Sequence, residues 1–129
     1  MVLFDVIRGD ITTLKIEAIV NASHENGLGC NIPGHCIDTA IHACAVSQLL
    51  EECRKLGGIP TGIAKITPGF NLPCKYVIHV TEPRAPQSGL VEECDFDMLS
   101  KSYIACLELA QVHDICEVAF CCLSTGVFG

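Results

Sequence analysis

The sequence predicts a three-layer α/β domain. Short apolar runs, typical of strands that are buried on both faces, alternate along the chain with two stretches in which apolar residues recur every three or four positions. The chain has 129 residues, a usual size for one domain. Hydrophobic residues make up 50% of the chain, and this fraction excludes a disordered protein.

The first half of the chain is predicted to contain two strands and one helix. Leu3 to Arg8 and Ala18 to Asn21 are strand-like, and a turn at Gly9 to Thr12 separates them. The glycine-rich stretch from Ala22 to Gly34 is predicted to be a loop. Apolar residues at every fourth position then predict a helix that Gly57-Gly58 ends. These positions are Ile37, Ile41, Ala45, Leu49 and Cys53.

The second half repeats this alternation. Ile63 to Thr67 and Tyr76 to Val80 are predicted strands, and Pro83 to Gly89 is a surface loop. Val118 to Leu123 is predicted to be a central strand, buried on both faces, that leads into a final loop at Ser124. Between these segments, a second amphipathic helix is predicted from the apolar residues Phe96, Leu99, Tyr103, Leu107 and Ala110.

Charge and cysteine content restrict the partners and the compartment. Eight Lys and Arg residues against 15 Asp and Glu give a net charge of −7, which disfavours a nucleic-acid or membrane partner because either needs a basic face. No apolar run reaches transmembrane length, and the N-terminus does not resemble a signal peptide. The ten cysteines therefore indicate mainly buried thiols in the cytoplasm, with a disulfide framework as the alternative.

Three loops are expected at the carboxyl edge of the sheet, where open α/β sheets bind ligands. They are Gly9 to Thr12, Ala22 to Cys36 and Ser124 to Gly129. Backbone amides in such loops can hold a phosphate without positive side chains. The loops together predict a small-ligand site, although glycines also mark the ordinary ends of strands and helices.

The segment from Cys30 to Asp38 contains a candidate metal site. Two thiols and one imidazole, at Cys30, His35 and Cys36, lie within seven residues, and zinc binds these ligand types. The alternative is two core cysteines and a surface histidine, since the side chains of adjacent residues diverge. Asp38 is either the N-cap of the following helix or a carboxylate that faces a ligand.

Six segments resemble the macrodomain family in order and spacing. They are Gly9–Thr12, Ala18–Ala22, Ile37–His42, Thr61–Thr67, Tyr76–His79 and Ser124–Gly129. The segment from Cys30 to Asp38, together with Asn71–Lys75 and Phe120–Cys122, is similar to the zinc-containing macrodomains that act as protein-ADP-ribose hydrolases. The resemblance covers essentially the whole chain, residues 1–129. It implies a three-layer α/β/α macrodomain with a mixed central sheet.

The resemblance also implies roles for individual residues. Asp10 would accept from the adenine amino group beside the Ile11 amide, and the diphosphate would lie against the backbone of the Ser124 to Phe128 loop. Asp38 and His24 are the implied catalytic residues at the distal ribose. Zinc is the implied cofactor, with Cys30, His35 and Cys36 as its ligands. The implied substrate-binding residues are Asp10, Ile11, Asn21, Cys36, Ile37, Asp38, Ser124, Thr125, Gly126, Val127 and Phe128.

The sequence departs from the family pattern in four places. His24 replaces the second asparagine of Asn-Ala-Ala-Asn, and no residue separates His35 from Cys36. The family's Val-Gly-Pro reads Val-Thr-Glu-Pro from Val80 to Pro83. The family domain continues past the loop at Ser124 with a further helix and strand, and the zinc-containing subclass often carries an N-terminal extension. A macrodomain that is incomplete at its C-terminal end is therefore expected.

The activity that the resemblance implies is zinc-assisted hydrolysis of mono-ADP-ribose from protein carboxylates. The partner would be ADP-ribose or a mono-ADP-ribosylated protein, with a lipoyl-carrier protein as one candidate. Two alternatives remain open at this point: a module that binds ADP-ribose without turnover, and an inactive fragment.

Overall fold

The chain folds around a short four-stranded sheet. The structure, a computed structural model, describes residues 9–23, 41, 48–49, 51–81 and 93–121. In chain order, its elements are a 3-10 helix (Ile11–Thr13), strand β1 (Ala18–Ser23), the helical residues 48–49 and 51–55 that we call α1, β2 (Ala64–Pro68), β3 (Tyr76–Thr81), α2 (Glu93–Val112) and β4 (Val118–Ala119).

The four strands form a mixed sheet in the order β2-β3-β1-β4. β1 is parallel to both β3 and β4, whereas β2 is antiparallel to β3. Ala18 lies opposite Tyr76 on one side and opposite Val118 on the other. The expected mixed central sheet is therefore confirmed. Because β1 and β3 run in the same direction, their carboxyl ends meet at one edge of the sheet.

Alternation along the strands divides the core into two layers. On one face, Ile19 and Val77 pack with Leu49 and Cys53 of α1 and with the helical residue Ile41. On the other face the sheet packs against α2; the buried members of that cluster are Ala18, Val20, Ile78, Val80, Cys106 and Ala110. Helices therefore cover both faces, which confirms the three-layer α/β prediction.

The end of α1 agrees with the sequence prediction and has a cap that the sequence did not indicate. Helical hydrogen bonding stops after residue 55, and Gly57 and Gly58 have φ angles of 72° and 100°, which favour glycine. Lys65 of β2 donates from Nζ to the carbonyl oxygens of Leu56 and Gly58, both at 2.7 Å. A cation at a helix C-terminus is favourable, so Lys65 ties β2 to the end of α1.

Two predictions about the strands require correction. β1 continues through Ala22 and Ser23, which were assigned to the loop. The predicted strand from Val118 to Leu123 is only two residues long among those described, and it lies at the edge of the described sheet with half-buried side chains. Phe120, which follows the strand, packs against α2: the centroid of its ring lies 5.3 Å from that of Tyr103.

The buried face of α2 also differs from the prediction. Leu107 is 50% exposed, whereas Ser102, Cys106 and Ala110 are buried. These three residues are spaced by four, so they form one stripe of small side chains that lets the helix approach the sheet closely. No helix in the described part of the chain has the length and apolar character that crossing a membrane requires.

The cysteines that the structure describes are free thiols. Cys53, Cys74 and Cys106 are buried, Cys116 is exposed and Cys121 is half-buried. Burial, and to a smaller extent the nearby Cys121, raises the pKa of Cys106 to about 12. These residues agree with the prediction of core thiols, and Cys106 is a neutral apolar group at physiological pH.

Candidate functional site

The candidate site lies at the carboxyl edge of β1 and β3. The register places Asn21 opposite His79 and Ser23 opposite Thr81, so both strands end together. The 3-10 helix before β1 packs on the same side of the sheet as α1, because Ile11 contacts the cluster that contains Ile19. Of the described candidate residues, Asn21 therefore lies toward the carboxyl edge, and Ile11 lies on the α1 side of the sheet.

Asp10 is held in place by the residue two positions later. Its Oδ1 accepts from the Thr12 backbone N–H at 3.0 Å and from the Thr12 hydroxyl at 2.7 Å. These bonds, the hydroxyl first, lower the pKa of the Asp10 carboxyl below its ordinary value. The carboxylate is exposed, and within the described residues no hydrogen bond reaches Oδ2. One oxygen thus caps the 3-10 helix, and the other can accept from a ligand.

Asn21 is buried beneath this edge. Its Nδ2 lies 3.1 Å from His79 Nδ1 on β3, and Nε2 of the same ring lies 2.9 Å from Thr67 Oγ1 on β2. Asn21 and His79 have no exposed surface, and Thr67 is 4% exposed. The three side chains form a polar chain across β1, β3 and β2, on the face of the sheet that α1 covers.

The structure describes three of the residues predicted to form the site. Asp10 and Ile11 precede β1, and Asn21 lies within it. The remaining predicted catalytic, substrate-binding and metal-binding residues lie outside the described part of the chain: His24, Cys30, His35, Cys36, Ile37, Asp38, Ser124, Thr125, Gly126, Val127 and Phe128.

Metal-binding side chains do not converge within the described ranges. No three His, Cys, Asp or Glu residues among them are arranged to hold an ion. Cys121 faces the backbone, with its Sγ 3.9 Å from the Val20 carbonyl oxygen. The described residues therefore offer no substitute for the predicted zinc ligands.

His79 has a place in this region that the sequence did not predict. The motif Tyr76–His79 contributed only to the resemblance. A histidine inside a predicted strand of apolar residues is itself a signal, because a buried imidazole needs hydrogen-bond partners. Its partners are on strands that are distant in sequence, so only the register of the sheet could identify them.

Comparison with known proteins gives the family. The family model of the macro domain matches residues 20–129. The chain belongs to the macro domain family. This macrodomain is 50% identical over 132 residues to the protein-ADP-ribose hydrolase of Treponema medium, with 95% of the chain and 49% of that protein covered. The chain spans about half the length of this curated relative and of the similar hydrolases from Staphylococcus aureus.

Two solved structures match the macrodomain closely in fold. The Oceanobacillus iheyensis macrodomain with ADP superposes with a TM-score of 0.82 at 34% identity, covering 94% of this chain and 64% of the other. The Trypanosoma brucei macrodomain in complex with ADP-ribose gives a TM-score of 0.81 at 39% identity, covering 95% and 47%. Both of those proteins are bound to an adenine nucleotide.

Proposed function

We propose that this macrodomain binds ADP-ribose and hydrolyses mono-ADP-ribose from modified protein side chains. The observation that carries the proposal is the Asp10 carboxylate, which is ionised and oriented by Thr12 and has an oxygen available at the surface. An adenine amino group is a hydrogen-bond donor that this oxygen suits. The similarity to protein-ADP-ribose hydrolases, and to macrodomains solved with ADP or ADP-ribose, supports the same ligand.

The proposed reaction is hydrolysis of an ester between the ribose and a protein carboxylate. Water adds across the bond, and the products are ADP-ribose and the free carboxylic acid. Asp38 accepts a proton from the attacking water, and His24 lies at the distal ribose. The backbone amides from Ser124 to Phe128 hold the diphosphate, as loops at the carboxyl edge of a sheet commonly do. Asn21, Cys36 and Ile37 complete the proposed substrate-binding set.

We also propose that zinc binds to Cys30, His35 and Cys36. Two thiols and one imidazole form a donor set that zinc prefers, and three protein ligands leave a position open, as in catalytic zinc sites. A zinc ion there would polarise an oxygen of the substrate or lower the pKa of a water molecule. The buried free thiols Cys53, Cys74 and Cys106 support a reducing compartment, in line with a cytoplasmic location.

Zinc binding is tested by the metal content of the purified chain. We expect about one zinc per chain, and we expect Cys30→Ser to lose most of it because a hydroxyl is a poor zinc ligand. Cys116→Ser is the matched control, because Cys116 is exposed and is not one of the proposed ligands. Full zinc content in Cys30→Ser, measured by atomic emission, would contradict the assignment of the ligands.

Adenine recognition is tested by Asp10→Asn. Asparagine caps helices as well as aspartate, so its oxygen can keep the bonds from Thr12. The NH₂ group of the asparagine then takes the place of Oδ2. It faces the adenine amino group, and two hydrogen-bond donors cannot bond to each other. We expect the affinity for ADP-ribose, measured by calorimetry, to fall ~10-fold. Asp97→Asn, on the exposed side of α2, should leave the affinity unchanged, and equal binding by Asp10→Asn would refute the proposed contact.

A second function, binding of ADP-ribose without turnover, is favoured by two features of the sequence. His24 replaces an asparagine that the family places at the distal ribose, and His35 and Cys36 are adjacent. The two functions are separated by incubating the chain with a protein that is mono-ADP-ribosylated on carboxylates. Release of free ADP-ribose supports the hydrolase, whereas retention of the modified protein without release supports the binding module. A modified lipoyl-carrier protein in the same assay tests the proposed partner.

A further inference from the structure

The polar chain of Asn21, His79 and Thr67 has a defined direction. With the Asn21 amide placed as the structure has it, Nδ2 donates to His79 Nδ1, which accepts. The proton of the neutral ring is then on Nε2, and this N–H donates to Thr67 Oγ1 at 2.9 Å. The contacts therefore select one tautomer of a neutral imidazole. In a doubly protonated ring, Nδ1–H would face the NH₂ group of Asn21, two donors against each other.

The groups around the ring are consistent with this state. Cys53 of α1 lies on the Nε2 side, with its Sγ at 3.9 Å, and its thiol is buried. Lys65 lies opposite His79 in the register of β2 and β3, but its ammonium group is bound to the end of α1.

Stability alone does not account for a polar chain at this place. Val77, two residues earlier on the same face of β3, is apolar and fully buried, so this layer of the core accommodates an aliphatic side chain. Burial of an amide, an imidazole and a hydroxyl costs free energy that hydrogen bonds only offset. Such exceptions to apolar core patterning are expected where a structure sets the geometry of a functional site.

We propose that His79 is a positioning residue of the ADP-ribose site and acts through Asn21. The inference rests on the proposed function. His79 has no exposed surface and its ring is bound to the Asn21 amide nitrogen, so it influences the ligand only through Asn21 and β1. It fixes the end of β1 at Ala22 and Ser23. The chain that carries the proposed catalytic residues His24 and Asp38 continues from that end.

Two substitutions of His79 separate positioning from packing. In His79→Asn, the side-chain oxygen lies near the former Nδ1 and can still accept from Asn21. In His79→Gln, the longer side chain places its polar atoms near the former Nε2, toward Thr67. Both variants are neutral and both remove the ring. We expect His79→Gln to bind ADP-ribose ~10-fold more weakly than His79→Asn at similar thermal stability.

A control variant and a spectroscopic measurement complete the test. Val77→Ala loses packing two residues earlier on the same face of β3, so it should lower the melting temperature but keep the affinity for ADP-ribose. Long-range ¹H–¹⁵N spectra of the wild-type chain should show His79 protonated on Nε2 only.

The outcomes distinguish this inference from the proposed function. Equal affinities of His79→Asn and His79→Gln for ADP-ribose, or a ring protonated on Nδ1, would overturn the inference. The proposed function would still stand if the wild-type chain binds ADP-ribose. A wild-type chain that does not bind ADP-ribose would overturn both.

Discussion

Gly69→Ala is expected to destabilise the protein by about 3 kcal/mol, at the upper end of the usual cost of overpacking. A Cβ atom on Gly69 would overlap the carbonyl oxygen of Cys74, which is a backbone atom and cannot rotate away. The same turn between β2 and β3 is closed by the Gly69 N–H, which donates to the Lys75 carbonyl oxygen at 2.9 Å. Relief of the clash would therefore break this bond and shift the start of β3.

Gly9→Ala is the matched control for that experiment. A Cβ atom there meets nothing within 4 Å, so the change in unfolding free energy should be within about 0.5 kcal/mol. Urea denaturation of the two variants measures the difference. Similar midpoints for Gly69→Ala and the wild-type chain would show that the turn is less constrained than its geometry indicates.

Asp38→Asn is expected to lower kcat for release of ADP-ribose by ~100-fold or more, the usual contribution of a general base. Asparagine is as good an N-cap as aspartate, so the alternative role of Asp38 as a helix cap survives this substitution. The variant should therefore unfold at the same temperature as the wild-type chain while its turnover is lost. The affinity for ADP-ribose should change much less than kcat, because binding of this reaction product involves no proton transfer to a base.

The assay uses a protein that is mono-ADP-ribosylated on carboxylates, with release followed over time. Asp97→Asn, a change of the same kind on the exposed side of α2, serves as the reference for full activity. A normal kcat in Asp38→Asn would exclude a role for the carboxylate as base. A normal kcat together with unchanged thermal stability would leave the helix cap as the role of Asp38.

The sequence predicted the elements whose residues fit only one kind of place in the fold, such as a fully buried strand or the buried face of a helix. Ala18 to Val20 and Val77 to Val80 are continuous buried runs, and they form the two central strands. Leu49 and Cys53 of α1 are spaced by four residues and both face the core, and Gly57 and Gly58 end the helix in conformations that favour glycine. In these cases local pattern and tertiary environment agree.

The predictions from sequence were wrong where an apolar residue fits the local pattern but is not buried in the fold as that pattern predicts. Leu107 fits the helical pattern of α2, but the smaller Cys106 faces the sheet and Leu107 is half exposed. The run from Val118 is apolar enough for a central strand, yet its described part pairs with β1 alone. The contact of Asn21 with His79 joins residues 58 positions apart in the chain, and no local pattern could predict it.

The Asp10 carboxylate caps the 3-10 helix with one oxygen and leaves the other for a ligand, and this arrangement affects the affinity. Thr12 fixes the rotamer of Asp10 through Oδ1 before any ligand arrives. The conformational entropy of this side chain is therefore lost when the protein folds and is not lost again on binding, which is how preorganisation increases affinity. Thr12 itself is buried, so its hydroxyl and N–H keep the same orientation in the empty and the occupied site. Adenine would therefore bind to an acceptor that is already in place. A base without an exocyclic amino group would leave the same oxygen without a hydrogen bond.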